Sequence, residues 1–181
     1  EYLKGQTCHV STSIENNVPT VEPLSDYTIP VATPFVLTGS ASDADASDNL
    51  TYTWEQKDDG TVPSDVFGPT NTQGANFRSM LPSEEPTRYF PLLSSVISGD
   101  LILEDPLVNG PWETLSTVQR EFTFALTVRD NSVGGGGVAY RDMTITVVDN
   151  DGDDNKVGAF AVTSQSLGNV YIAGSPRIVT W

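Results

Sequence analysis

The sequence predicts an all-β protein built as a sandwich of two sheets. Three segments, 50–55, 122–128 and 143–147, place large apolar residues at every second position, mostly with threonine between them. This period of two is typical of strands that bury one face. We find no convincing amphipathic helix, since the best candidate, 92–97, is short and stops at Ser98-Gly99. Threonine on one face and apolar residues on the other favour two sheets packed face to face.

The N-terminal part of the chain leads from a linker into the first strands. Residues 1–20 contain serines and threonines followed by two asparagines and a proline, so we interpret them as a linker. Apolar and polar residues alternate from Tyr27 to Val31, and Pro34 introduces a second apolar run over 35–41. The sandwich is therefore expected to begin at residue 21.

The segment 57–119 is the irregular part of the predicted domain. Prolines interrupt it repeatedly, and only 77–81 and 87–91 have the pattern of short strands. Because proline cannot donate to a β-ladder, it is confined to edge strands and loops. We interpret the segment as a long insertion in the middle of the sandwich, with long loops between short edge strands. Arg88, within it, is expected to bridge carboxylates.

The composition changes abruptly after Val148, where residues 149–155 are all Asp, Asn or Gly. This change predicts a sandwich over 21–149 and an acidic linker over 150–158. Strand-like runs resume beyond the linker. We interpret 159–181 as the opening strands of a second β-module that is truncated here.

The net charge of −15 in 181 residues is the strongest global feature. So acidic a surface repels phosphate backbones and anionic membranes, so nucleic acid is not an expected partner. No apolar stretch approaches the ~20 residues of a membrane-spanning helix, and no membrane insertion is expected. Acidity alone could keep a secreted protein soluble. Many carboxylates, however, stand in close-spaced clusters, and this clustering favours cation binding.

Three acidic clusters are candidate calcium sites, because calcium takes about six to eight oxygen ligands and alternate acidic residues in a loop can turn several carboxylates toward one ion. The candidate ligands are Asp43, Asp45, Asp130, Asp149, Asp151 and Asp153. In an immunoglobulin-like sandwich the loops with the first two clusters lie at one end, where Asn16 and Asn17 also arrive, and the third cluster lies at the other. Asp and Asn also dominate ordinary turns, so turn chemistry is the competing explanation.

Catalytic machinery is not evident, and we predict that the chain is not an enzyme. The single histidine, His9, lies in the predicted linker, where a nucleophile would have no folded partners. Its neighbour Cys8 is the single cysteine, so an internal disulfide is excluded and a cysteine outside this chain is a candidate partner. The sequence contains no His-Glu-x-x-His zinc motif. A carboxylate pair for glycoside hydrolysis stays open, although none stands out.

The insertion 57–119 also supplies an alternative function, the binding of a carbohydrate or another protein. Loops carry binding residues more often than the scaffold that holds them. Trp112, Tyr89 and Phe90 are the candidate contact aromatics, whereas Trp54 lies on the apolar face of its strand and is expected in the core. Exposed aromatic side chains would support this alternative, and buried ones would count against it.

Several motifs resemble those of known extracellular modules. The run 39–45, Gly-Ser-Ala-Ser-Asp-Ala-Asp, followed by Leu-Thr-Tyr-Thr-Trp-Glu at 50–55, resembles the core signature of PKD-like and cadherin-like β-sandwich modules. A longer set is similar to the module that follows the catalytic domain in secreted reprolysin-like zinc metalloproteases of Bacteroidetes-type bacteria. Its motifs are Tyr27-Thr28-Ile29-Pro30, 34–39, Phe77-Arg78-Ser79, 86–91 and Val128-Arg129-Asp130-Asn131.

The resemblance implies a non-catalytic accessory or spacer module, stabilised by structural Ca²⁺, whose catalytic domain lies elsewhere in a parent metalloprotease. The cadherin-like pattern implies Asp43, Asp45 and Asp130 as calcium ligands. On a looser match it also implies Asp149, Asp151 and Asp153. The resemblance also implies a bacterial protein that is secreted or at the cell surface. The expected partners are the neighbouring domains of the parent chain and, in an adhesion role, a protein or glycan ligand.

Overall fold

The structure is a computed structural model that describes residues 13–63, 66–103, 112–149, 164, 170–174 and 176–180. Within these residues it contains eight strands and one short helix, so the all-β prediction is confirmed. The strands are β1 (Thr20–Val21), β2 (Tyr27–Pro30), β3 (Phe35–Thr38), β4 (Ala41–Ser42), β5 (Thr51–Gln56), β6 (Thr87–Phe90), β7 (Arg120–Arg129) and β8 (Val138–Val148), and the helix is α1 (Leu93–Ser98).

The strands form one four-stranded sheet and two smaller ones. The larger sheet has the order β2-β8-β7-β5, in which β5, β7 and β8 are antiparallel neighbours. β2 instead runs parallel to β8, with Tyr27 opposite Ile145 and Pro30 opposite Val148. The smaller sheets pair β1 with β4 and β3 with β6, both antiparallel. The N-terminal strands β1 and β2 therefore belong to different sheets.

One hydrophobic core joins the sheets. Apolar residues of β5, β7 and β8 pack in it against residues of β3 and β6. The rings of Phe90 and Phe124, both fully buried, have centroids 4.7 Å apart, and Phe77 lies edge-on to Phe90 at 5.2 Å. Trp54 is 4% exposed, as its place in the alternating pattern predicted, and its indole N–H donates to Pro86 O at 2.9 Å. Burial of this aromatic surface is the main source of stability.

The insertion differs from its predicted form at two places. No strand forms over 77–81, because the side-chain Oε1 of Gln56 accepts hydrogen bonds from the backbone N–H groups of Asn76 and Phe77. A helix does form where we expected none: α1 is six residues long and ends at Gly99, whose φ is 82°. So short a helix spans less than two turns, which is too few residues for a helical period to be read from the sequence.

A buried ion pair holds β6 to a later part of the insertion. Arg88 Nη2 lies 2.6 Å from Glu113 Oε1, and the two side chains are 10% and 0% exposed. The Arg88 guanidinium also donates to the backbone oxygen of Trp54 and lies over the Phe90 ring at 4.5 Å. The other Glu113 oxygen accepts from Leu92 N at 2.9 Å. The expectation that Arg88 bridges to a carboxylate is confirmed.

The predicted domain boundaries fall mostly where few residues are described. β1 begins at Thr20, the last residue of the segment that we interpreted as a linker. In the tail, Ser164 N donates to Thr180 O at 3.4 Å and Thr180 N donates to Ser164 Oγ at 2.9 Å. The acidic linker and the second β-module stay predictions. No helix among the described residues is long and apolar enough to cross a membrane.

Candidate metal centre

The loop between β4 and β5 brings three aspartates together. One carboxylate oxygen from each of Asp43, Asp45 and Asp48 lies within 4.8 Å of the other two. The loop is held by two local hydrogen bonds, from Asp45 N to Asp43 Oδ1 at 2.8 Å and from Asp48 N to Asp45 O at 3.0 Å. Short polar side chains favour such turns. The turn in this case directs three negative charges toward one point.

The segment that precedes β1 reaches this loop through two adjacent asparagines. Asn17 donates from its backbone N and its Nδ2 to the Asp45 carboxylate, at 2.7 and 3.1 Å. Asn16 Nδ2 donates to Asp130 Oδ2, in the loop between β7 and β8, at 2.8 Å. The two loops and the incoming segment therefore meet at one end of the domain, in the arrangement that the sequence predicted.

Asp130 holds the β7–β8 loop and the incoming segment together. Its side chain is fully buried, and its oxygens accept from Gly137 N at 2.8 Å and from Ser132 N at 3.1 Å, in addition to Asn16. These hydrogen bonds, that of Asn16 above all, hold the pKa of Asp130 below its usual value. Among the described residues Asp130 is not a member of the converging carboxylate group. In this structure its contacts are those of a positioning residue.

Three oxygens at this end of the domain are buried and accept no hydrogen bond within the described part of the chain. They are Asn16 Oδ1, Asp43 Oδ2 and Asp48 Oδ2. Leaving a buried acceptor unpaired costs about 1–3 kcal/mol. A hard divalent cation held by the three aspartates would satisfy the two carboxylate oxygens, because carboxylate and amide oxygens are the ligands that calcium takes. Asn16 Oδ1 is a candidate further ligand. The residues present therefore fit a calcium ion.

The structure adds two residues to the predicted ligand set and leaves one cluster open. Asp48 extends the pattern of Asp43 and Asp45 along the same loop, so its spacing was readable from the sequence. Asn16 was expected at this end of the domain, and the structure adds that its Nδ2 donates to Asp130 while its Oδ1 is buried without a donor among the described residues. Asp149 follows the last residue of β8, at the end of that strand opposite Asp130. Asp151 and Asp153 lie outside the described residues, so a calcium site there stays a prediction.

The three candidate contact aromatics have different environments. Tyr89 is 43% exposed, whereas Phe90 is fully buried, so the proposal of Phe90 as a surface contact is wrong. The reason is the period of two along β6: adjacent side chains point to opposite faces, and the Phe90 face lies on the core. Trp112 is half-buried, with its ring 5.5 Å from that of Phe67. Tyr89 is the one of the three that offers a largely open ring.

A glycine is expected to be required for stability at position 137, where the incoming segment packs closely against the β7–β8 loop. A Cβ at this position would lie 2.7 Å from Asp130 Oδ2 and 3.0 Å from the Cα of Val18. Gly137→Ala should therefore push the two segments apart and destabilise the fold by about 1–3 kcal/mol, the usual cost of overpacking. Urea unfolding followed by tryptophan fluorescence measures the loss. Gly68→Ala is the matched control, since a Cβ there meets nothing within 4 Å. Equal free energies of unfolding for the two variants would contradict the close packing of the incoming segment against residue 137.

Comparison with known proteins adds no relative to this picture. The sequence matches no protein-family model and no curated protein. The functional argument therefore rests on the residues of the site.

Proposed function

We propose that this chain is a non-catalytic, calcium-stabilised accessory module of a secreted multidomain protein. The observation that carries the proposal is the convergence of Asp43, Asp45 and Asp48 beside buried oxygens that have no hydrogen-bond donor. Three carboxylates so close repel one another unless a cation or a proton neutralises them. A bound calcium ion removes the repulsion and supplies the missing partners.

The ion would be held by groups from two parts of the chain. Asp43 and Asp48 would supply carboxylate oxygens from the β4–β5 loop, and Asn16 would supply its amide oxygen from the incoming segment. Asp45 is already bonded to Asn17, so it would join the loop and the segment a second time. Calcium would then stiffen the junction through which the chain enters the domain. This role suits a spacer that keeps a neighbouring domain at a fixed orientation.

The strand arrangement supports the finer fold assignment, an immunoglobulin-like sandwich of the PKD-like or cadherin-like kind. β1 and β2 join different sheets, and the antiparallel set β5, β7 and β8 shares one hydrophobic core with β3 and β6. The parent protein that we propose is a secreted bacterial metalloprotease, on the resemblance of the motifs given above. Any proteolytic activity would then belong to another part of the parent, and its neighbouring domains would be the partners of this one.

Thermal unfolding with calcium and with excess chelator tests the metal proposal. A ligand that binds only the folded state at about 100 times its Kd adds about 2.7 kcal/mol to the free energy of unfolding. For a domain of this size the expected rise in Tm is about 5–10 °C. Asp43→Asn/Asp48→Asn should abolish that rise. Glu84→Gln/Glu121→Gln is the matched control, because it removes the same charge from exposed positions and should keep the rise.

Two results would contradict the site. Coincident melting curves with calcium and chelator would reduce the aspartates to turn chemistry. A calcium response that survives in Asp43→Asn/Asp48→Asn but is lost when Asp149, Asp151 and Asp153 are replaced would move the ion to the other end of the domain.

A further inference from the structure

A groove of about 300 Å³ is lined by residues of β5 and β6 and of the segments before and after β6. Apolar side chains form much of its wall, and three of them are open to solvent: Leu81 is 89% exposed, Leu93 is 44% and Tyr89 is 43%. We call these three residues and the adjoining strand the β6 groove. Isolated exposed apolar residues are ordinary, but a group of them lining one groove indicates a binding surface.

Within the part of the chain that the structure describes, the backbone groups on the outer edge of β6 beside this groove make no hydrogen bond. Gly39 N donates to Pro86 O at 3.2 Å, so in this antiparallel pair the hydrogen-bonded positions are Pro86, Arg88 and Phe90. The backbone N–H and C=O groups of Thr87 and Tyr89 must then point away from β3. Within the described part of the chain, β3 is the strand that pairs with β6. Thr87 and Tyr89 can therefore accept a further strand.

The neighbouring edge of β5 is covered by hydrogen bonds. On the outer edge of β5, Tyr52 exchanges two backbone hydrogen bonds with Ser83, and Trp54 O accepts from Arg88. β2, at the edge of the large sheet, ends in Pro30, which has no N–H to offer. Short edges, prolines and covering contacts are the usual means by which proteins prevent edge-to-edge pairing. β6 is likewise short and flanked by prolines, but among the described residues no backbone hydrogen bond covers its outer edge.

The charged residues at the groove indicate the charge of its partner. Glu85 lines it, Glu84 adjoins it, and both are exposed. Among the described residues that line the groove, Arg88 is the cation, and it is already paired with Glu113. Arg78, whose backbone oxygen accepts from Arg88, is exposed nearby. The two glutamates outnumber it, in keeping with the net charge of −15. Electrostatic complementarity favours a basic partner.

We propose that the β6 groove binds an extended segment of a partner protein, which adds to β6 as a strand. Its backbone pairs with Thr87 and Tyr89, an apolar side chain lies among Leu81, Tyr89 and Leu93, and a flanking lysine or arginine lies near Glu85. Strand addition of this kind takes its affinity from main-chain hydrogen bonds and its specificity from pockets for alternate side chains. The proposal uses no residue of the cation site, so it stands or falls separately from calcium binding.

The test uses the full chain, labelled with ¹⁵N, and a short synthetic peptide of alternating valine and threonine with a lysine at each end. Titration followed by NMR should shift the amides of Thr87 and Tyr89. Thr87→Pro removes one outward-pointing N–H and should weaken binding about fivefold to tenfold. Thr87→Val is its matched control: it loses the hydroxyl but keeps the N–H, and should bind as wild type does.

A second pair of variants tests the apolar part of the groove. Leu81→Asp should weaken binding to a similar extent, whereas Ile97→Asp, at a 77% exposed position outside the groove, should not. A peptide with glutamate in place of lysine should also bind less well. Absence of shifts with the lysine peptide, shifts confined to β2 and β3, or equal binding by Thr87→Pro and Thr87→Val would each overturn the proposal. A response to soluble oligosaccharides with none to the peptide would overturn it in favour of glycan binding.

Discussion

Glu113→Ala is expected to destabilise the domain by about 3–5 kcal/mol, the cost of removing one partner of a buried ion pair. The Glu113 side chain is fully buried, and it accepts from both Arg88 and the backbone N–H of Leu92. Alanine at this position would leave the Arg88 guanidinium in the protein interior without its counter-charge. Burial lowers the pKa of Arg88, because it disfavours the charged guanidinium, and the Glu113 carboxylate opposes that shift. The carboxylate therefore stabilises the charged form of Arg88.

Urea unfolding of the full chain measures this effect. Glu121→Ala, which removes an exposed carboxylate of β7, is the control and should change the free energy of unfolding by less than about 0.5 kcal/mol. The double variant Arg88→Met/Glu113→Leu should recover part of the loss, since apolar residues of similar volume often replace a buried ion pair without cost. A loss below about 1 kcal/mol in Glu113→Ala would show that the pair is not buried in solution.

Phe124→Ala is expected to cost about 3–5 kcal/mol, because it removes a large side chain from the centre of the core. Phe124 is fully buried, and its ring centroid lies 4.7 Å from that of Phe90 and 5.8 Å from that of Phe35. The phenyl ring therefore joins β7 to both strands of the β3–β6 sheet. Its removal leaves a cavity that the surrounding strands can fill only in part.

The same urea titration serves for Phe124→Ala, with Val133→Ala as the control. Val133 lies at the tip of the β7–β8 loop and is fully open to solvent, so its truncation should be nearly neutral. A decrease in the midpoint at an unchanged m-value is the expected result. Equal midpoints for the two variants would contradict the shared core of the two sheets.

The strands were predictable wherever one face is buried. Residues 51–56 and 120–129 form strands close to where the alternation placed them, because burial of every second residue leaves a period of two in the sequence. The third strand contains the predicted segment 143–147 but begins earlier, at residue 138. The insertion was less predictable. Its backbone at residues 76 and 77 bonds to the side chain of Gln56, and a contact made across twenty residues leaves no local pattern.

The candidate site was predictable in part. Asp43 and Asp45 stand in one turn, and a turn is specified by adjacent residues, so the sequence identified them. Asp130 was correctly expected at the same end, but its oxygens accept from backbone N–H groups and from Asn16, contacts that the sequence does not reveal. The contrast between Tyr89 and Phe90 has a similar origin. The sequence shows that they occupy opposite faces, but not which face meets the core.

By itself, then, the sequence determined the fold class, the acidic character and the turn that holds Asp43 and Asp45, since each depends on residues close together in the chain. Only the tertiary structure decided that Asn16 bonds to Asp130, that Arg88 is paired with Glu113, and that Thr87 and Tyr89 turn their backbone groups away from β3. The physical reason is that each of these depends on contacts between segments far apart in sequence. Packing of the whole core selects those contacts, and no local pattern encodes them.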